Sequence, residues 1–307
     1  MAARKPLIPV ILGPTAVGKT AVAMALSEHW PLVVISADSR QIYRDLDIGT
    51  AKPTPEERRR VTHLGIDVVA PGERYSAGRF AVDGARWLQE IHPPRRPVVV
   101  GGTGFYIRAL ADGLFREPPM DTGRRELLQC WARGVEGLGR WAARLDPGYV
   151  GGGRQRAARA VEVAVLTGRP LSWWQAHAKA EGVMRPWYVR LTVPRPVLHR
   201  RIENRVAAML QAGLVREVEE VLARGVAFDA PGLDAVGYRE VVRYVRGELD
   251  ASDLAPAMAA ATRRYAKRQE TWFRRQLIGY PVITLDATDA PNVLARRIVD
   301  LWVEGDR

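Results

Sequence analysis

Ten residues near the start of the chain, Ile11-Leu12-Gly13-Pro14-Thr15-Ala16-Val17-Gly18-Lys19-Thr20, constrain the fold more than any other stretch. They fit G-x-x-x-x-G-K-[ST] at every fixed position, follow the apolar run Pro9-Val10-Ile11-Leu12 and precede the helix-forming run Ala21–Leu26. Strand, glycine loop and helix thus come in the order that a phosphate-binding loop needs. Gly13 and Gly18 allow the backbone to curl, so that successive N–H groups over Thr15, Ala16, Val17 and Gly18 converge on a phosphate oxygen, and the helix N-terminus adds its positive end. Lys19 is then the candidate to neutralise the outer phosphate, and the Thr20 hydroxyl the candidate ligand of a Mg²⁺ ion. The motif points to a bound di- or triphosphate and leaves its fate open.

Further strands point to an open parallel sheet. Leu32-Val33-Val34-Ile35-Ser36 and Pro97-Val98-Val99-Val100 read as buried strands, and Trp187–Val193 and the short Val282–Leu285 later in the chain read as strands. Ligands of such sheets bind at the carboxyl ends of the strands, so Asp38, just past the second strand, belongs on the rim that carries the phosphate loop. In isolation it could equally cap a helix. The strand ending at Val100 lacks the terminal Asp with which many nucleotide hydrolases organise Mg²⁺ and water, which weighs against an ATPase or GTPase. Residues 42–62 read as a loop, and Ser76 reads as the cap of a helix carrying Phe80, Gly84, Trp87, Leu88 and Ile91.

From about Leu114 to Arg185 strand signals vanish, while tryptophans and arginines gather, which predicts a helical insertion. The expected organisation is an α/β core over 1–113 and 186–307, a phosphate-loop (P-loop) NTPase-like parallel sheet flanked by helices, with an all-helical domain inserted over 114–185. Arg156 and Arg159 share one face of a helix ending at Thr167-Gly168, as a solvated stripe or a nucleic-acid contact. In the helix from Pro196 to Ala212, Arg205 falls within the apolar stripe of Leu198, Ile202, Val206 and Met209, with Arg201 at its border. An inward guanidinium needs an anion, either a carboxylate of the protein or the ligand's diphosphate. A long helix from Asp253 to Leu277 interleaves arginines and lysines with Tyr265 and Trp272, suiting either a polyanion groove or a core stripe with solvated cations opposite.

Charge bears on the partner. The chain of 307 residues carries 46 Lys and Arg against 34 Asp and Glu, a net +12. One small diphosphate does not call for so much excess, and a nucleic acid is the economical explanation. A single cysteine, Cys130, excludes an internal disulfide and a Cys-rich zinc site. No apolar run reaches the roughly 18 residues needed to cross a bilayer. Met1–Pro6 leads straight into the first strand, so no signal peptide and a cytoplasmic location are expected.

Several motifs together carry a resemblance. The phosphate loop, then Ile35-Ser36-Ala37-Asp38-Ser39-Arg40-Gln41-Ile42-Tyr43 and Asp47-Ile48-Gly49-Thr50-Ala51-Lys52-Pro53, are similar to those of the bacterial tRNA dimethylallyltransferases. Gly101-Gly102-Thr103-Gly104-Phe105-Tyr106, Gln155–Val163, Gly237-Tyr238 and Lys267–Arg274 follow in the family's order. The resemblance implies transfer of a dimethylallyl group from its diphosphate to N6 of the adenine 3′ of the anticodon. It implies Asp38 as the base, a Thr15 hydrogen bond near the bridging oxygen, and Lys19, the loop amides, Mg²⁺ at Thr20 and Arg205 on the diphosphate. It further implies tRNA contacts at Asp38, Ser39, Arg40, Gln41, Thr103, Arg125, Gln155, Arg156, Ala157, Ala158 and Arg159, in a protein expected to be monomeric. Before Gln155 the chain departs from the family's His-Pro-Asn-Asp-like turn and reads Tyr149-Val150-Gly151-Gly152-Gly153-Arg154. The alternative is a small-molecule kinase that binds ATP in the same loop.

Overall fold

The computed structural model describes residues 5–115, 118–178 and 180–305. The start of the chain, Met1–Arg4, on which the expectation of a missing signal peptide partly rests, lies outside the described residues. In chain order the elements are β1 (Leu7–Leu12), α1 (Lys19–Leu26), β2 (Leu32–Ser36), α2 (Pro55–Arg60), β3 (Thr62–Leu64), α3 (Ala77–Glu90), β4 (Arg96–Gly101) and α4 (Gly104–Ala111). Four helices follow, α5 (Thr122–Gly134), α6 (Leu138–Leu145), α7 (Arg154–Thr167) and α8 (Leu171–His177). The remainder is β5 (Arg185–Thr192), α9 (Arg195–Gln211), α10 (Leu214–Ala223), α11 (Tyr238–Val245), α12 (Ala251–Gln276), β6 (Val282–Asp286) and α13 (Pro291–Gly305). The chain divides into two compact units, Met1–Ala111 with Val183–Arg307, and Asp112–Gly182. Among the described residues no helix is long and apolar enough to cross a membrane.

In the larger unit six parallel strands form one sheet in the order β3-β2-β4-β1-β5-β6. Ile11 of the central strand lies beside Val100 of β4 and Val189 of β5. Apolar side chains leave both faces, as a sheet covered on both sides demands. Val10, Leu12, Ile35 and Val99 pack with Phe80 and Trp87 of α3, Leu110 of α4 and Phe273 of α12. Ile11, Val34, Val98 and Val189 turn the other way, towards Val22 and Leu26 of α1 and Leu294 and Ile298 of α13. A further cluster joins Ile42 and Leu46 to Ile202 and Val206 of α9, Val218 of α10, Tyr238 of α11 and Met258 of α12. The apolar stripe read from α9 is therefore core.

The expected loop over 42–62 contains a helix, α2, and leads into the edge strand β3, which pairs with β2. Thr54 and Glu57 form a reciprocal capping box with Pro55 at the first helical position, so the start signal was present in the sequence. Its arginine-rich, wholly unburied face hid the helix from a search for apolar periodicity.

The turn between Asp47 and Pro53 is fixed from within. The buried Lys52 ammonium donates to the Tyr43 carbonyl (2.6 Å), Asp47 Oδ1 (2.6 Å) and Asp67 Oδ1 (2.5 Å). Burial alone would raise the Asp67 carboxyl, but hydrogen bonds from Lys52 and Arg58 outweigh it and hold the group below the usual carboxylate range. From the other side Glu217 Oε2 accepts the N–H groups of Asp47 (2.7 Å) and Ile48 (2.8 Å), and Tyr238 donates to Glu217 Oε1 (2.6 Å). Lys52→Met strips three acceptors of their donor and is expected to lower the unfolding free energy by about 1–3 kcal/mol, read as a lowered urea midpoint at unchanged slope.

The smaller unit is helical. Ala132, Leu138, Ala142, Ala157, Ala160 and Val161 form its core. Buried Glu162 on α7 accepts from Gln129 of α5 (2.8 Å), lies 3.2 Å from the Arg125 guanidinium and accepts a short hydrogen bond from Arg159. α7 ends on Gly168, whose φ of +68° is the left-handed cap that glycine provides.

Candidate active site

The carboxyl ends of β1, β2, β4, β5 and β6 point the same way, and the segments that follow β1, β2 and β6 share one cavity of about 710 Å³ with residues of α9 and α12. Thr15, Ala16, Val17, Gly18, Lys19 and Thr20 line it after β1, Asp38, Arg40 and Gln41 after β2, and Ala287 after β6. Arg201 and Arg205 of α9 and Tyr265, Arg268 and Gln269 of α12 complete much of the wall.

The phosphate loop is tightly curled. Gly13 passes so close to β5 that a Cβ there would lie 2.6 Å from the Leu191 carbonyl oxygen, and Gly18 has φ +108°. Ala16 also adopts a positive φ, +64°, a conformation uncommon for a residue with a side chain. Lys19 Nζ folds back onto the Gly13 (3.0 Å) and Pro14 (2.8 Å) carbonyls. Burial lowers its pKa from the usual value to about 8, with the Asp38 carboxylate working against that shift and the Arg205 charge with it.

Of the two arginines marked on α9, Arg201 proves to be a brace. It donates to the Val17 carbonyl (2.9 Å) and the Ala287 carbonyl (2.8 Å), tying the phosphate loop to the end of β6. Arg205 lines the cavity, and among the described residues no carboxylate comes within ion-pair distance of it. Burial lowers its pKa and the Asp38 charge opposes that shift. Of the two anions that the sequence left open, the protein's own carboxylate is thus not in contact.

Asp38 lies on the phosphate-loop rim. Its Oδ1 accepts the Arg40 N–H at 2.9 Å, closing a local turn, and among the described residues no hydrogen bond reaches Oδ2. Its neighbours are engaged within the protein: the Ser39 N–H donates to Thr103 Oγ1 (3.0 Å), Arg40 to the Pro231 carbonyl (3.1 Å), and Gln41 to the Ala51 carbonyl (3.1 Å) while accepting from Ser36 (2.8 Å). Behind Asp38 a chamber of about 40 Å³ is lined by Thr20, Ser36, Asp38, Gln41 and His63, among others. Mg²⁺ takes hard oxygen donors and needs only one or two from the protein when substrate phosphates supply the rest. Thr20 with Asp38 nearby fits that need.

The remaining candidates belong to the smaller unit. Gln155 and Arg156 are exposed, whereas Arg125 and Arg159 are held by Glu162. Ala157 is buried in the core and Ala158 packs against it, so neither offers a free side chain to a partner.

Residues 41–276 match the family model described as IPP transferase, and residues 6–67 match that described as isopentenyl transferase. The chain belongs to the IPP transferase family. Among curated IPP transferase relatives, a tRNA dimethylallyltransferase of Magnetococcus marinus is 40% identical over 283 residues, covering 86% of this chain and 90% of its own length. The tRNA dimethylallyltransferase 1 of Syntrophotalea carbinolica is 44% identical over 285 residues, 89% of each. The full-length tRNA isopentenylpyrophosphate transferase of Bacillus halodurans superposes with a TM-score of 0.71 at 32% identity, covering 98% of this chain and 96% of its own. A eukaryotic dimethylallyltransferase acting on tRNA gives 0.79 at 25% identity, covering 98% and 80%. The P-loop NTPase-like sheet is thus the fold of this IPP transferase and of its solved neighbours.

Sequence reasoning passed over Gln269 as an individual residue, although Lys267–Arg274 was marked as a motif, and it named Tyr265 only as an aromatic of a polyanion groove or a core stripe. Burial of a glutamine on a basic helix is the signal that only the structure supplies.

Proposed function

We propose that this chain is a tRNA prenyltransferase that moves the dimethylallyl group of dimethylallyl diphosphate to N6 of the adenine 3′ of the anticodon. The observation that carries this reading is the shared cavity of Asp38, the phosphate loop and Arg205. In the reaction the N6 lone pair forms a bond to C1 of the donor, the C1–O bond breaks, and its electron pair leaves on the diphosphate. The N6 proton passes to Asp38, whose Oδ2 is free to take it. Lys19, the loop amides and Arg205 receive the negative charge that develops on the leaving oxygens, and Thr15 acts near the bridging oxygen. Mg²⁺, held by Thr20 and the donor's phosphates, would add positive charge to the same group. An anticodon loop suits the site because its bases can be turned out into a pocket. Ser39–Gln41 and Thr103 would meet the tRNA in the larger unit and Arg125, Gln155, Arg156 and Arg159 in the smaller, with the net charge of +12 favouring the polyanion. All the proposed catalytic groups come from one chain, so a monomer would suffice for the reaction, and a cytoplasmic location is proposed with it.

Incubation with unmodified tRNA and labelled dimethylallyl diphosphate is expected to place label in the tRNA and release diphosphate. No label in tRNA, with γ-phosphate transfer from ATP to a hydroxyl acceptor, would favour the kinase. A kinase leaves Asp38–Gln41 without a task, and the family argues against it.

A further inference from the structure

Gln269 lies on α12, 254 residues from Thr15, and is buried. Its Oε1 accepts the Thr15 N–H at 2.9 Å and its Nε2 donates to the Gly102 carbonyl at 2.9 Å. A primary amide offers an acceptor and a donor on one planar head, which this bridge requires. The glycines of the turn after β4 make the seat. A Cβ on Gly102 would lie 2.3 Å from Gln269 Nε2, and one on Gly104 2.2 Å from the Trp272 ring. One helical turn before Gln269, on the same face, Tyr265 lies beside Thr103. Thr103 in turn accepts the Ser39 N–H and donates its own N–H to the Ala37 carbonyl (3.0 Å). The same turn therefore holds the segment carrying Asp38 on one side and, through Gln269, the phosphate loop on the other.

We propose that Gln269 is a positioning residue, an amide bridge that fixes the phosphate loop at a set separation from Asp38. It also takes up the Thr15 N–H, leaving phosphate binding to the amides from Ala16 onward and to the Thr15 side chain. For its kinetic arm the proposal rests on the prenyl-transfer reading. A displacement of about 1 Å between reacting groups can cost on the order of 10²-fold in rate, even when the displaced contact lies outside the chemistry.

The test compares Gln269→Leu and Gln269→Glu in the full chain with wild type, below the melting temperature of each. Gln269→Leu removes both bonds at similar volume. It is expected to lose roughly 10–100-fold in kcat, to bind dimethylallyl diphosphate roughly fivefold more weakly, and to keep its tRNA affinity. In Gln269→Glu the acid can still accept from Thr15 but, when ionised, opposes the Gly102 carbonyl; its kcat relative to wild type should recover as pH falls and the acid regains a proton. A folded Gln269→Leu with native kcat and native donor affinity overturns the proposal. So does a loss that merely follows the folded fraction. If that variant does not fold, a Gln269→Glu to wild-type ratio that is flat with pH overturns it. Should wild type fail to label tRNA, the functional reading falls, and donor affinity alone still decides the role of Gln269.

Discussion

Asp38→Ala is expected to lower kcat by about 10²–10⁴-fold, the range for loss of a positioned general base, while both substrates still bind. An exocyclic adenine amine is a weak nucleophile that acquires positive charge as its bond to C1 forms, so a carboxylate able to take a proton lowers the barrier at the point of greatest need. Asp38 has one oxygen committed to the Arg40 N–H and one without a hydrogen-bond partner among the described residues. That division makes Asp38→Asn the sharper experiment. Asparagine keeps an oxygen for the Arg40 N–H, and with it the turn, but cannot accept the proton. If Asp38 works as a base, Asn and Ala lose comparable amounts in single-turnover transfer, and donor affinity by calorimetry stays within a few-fold of wild type. If Asp38 only shapes the turn, Asn retains near-native turnover and the base assignment is wrong.

What made Asp38 legible in the sequence was position, not residue type. A parallel sheet gathers the carboxyl ends of its strands, so a carboxylate two residues past β2 must share a rim with a glycine loop that begins after β1. The same rule places Thr103, two residues past β4. Arg205 was legible because a charged residue at the period of a buried stripe conflicts with its surroundings and marks either an ion pair or a ligand. Arg201, at the border of that stripe, turned out to hold two backbone carbonyls; periodicity reports which way a side chain points, never which atom it meets. Lys52 was marked only as part of a motif, since its three acceptors lie 5 to 15 residues away along an irregular path. Gln269 is the extreme case. Its partners are 254 and 167 residues distant, and a glutamine among arginines and lysines reads as one more solvated position until the fold lays that face of α12 on the glycines of β4's turn.

The second large effect concerns Lys19 and carries a pH dependence of definite sign. In the free protein burial brings this amine to a pKa of about 8, with Asp38 opposing the shift and Arg205 adding to it. The charged form is the one that binds a diphosphate, and a bound diphosphate in turn raises the pKa by stabilising that form. Below about pH 7 the amine is already protonated in free protein and complex alike, and this group adds no pH dependence to donor affinity. Above about pH 8 the free protein has lost the proton that the complex retains, so binding must take one up, and Kd should weaken by up to roughly tenfold per pH unit. Calorimetric titration of dimethylallyl diphosphate without tRNA, from pH 6.5 to 9.5, measures this directly, because no transfer can occur and the folded protein is the only reactant. Lys19→Ala removes a charge-assisted contact worth about 1.5–3 kcal/mol, so binding at pH 7 should fall by roughly 10–150-fold and the curve above pH 8 should flatten to whatever slope the other groups leave. In the reaction the loss should be larger still, since the charge on the leaving oxygens grows towards the transition state and a cation lost there costs more than one lost in the ground state. A wild-type Kd that does not move between pH 7 and 9.5 would mean that Lys19 stays on the Gly13 and Pro14 carbonyls when the donor binds, and the neutralising charge would then have to come from Arg205 and the other proposed groups without it.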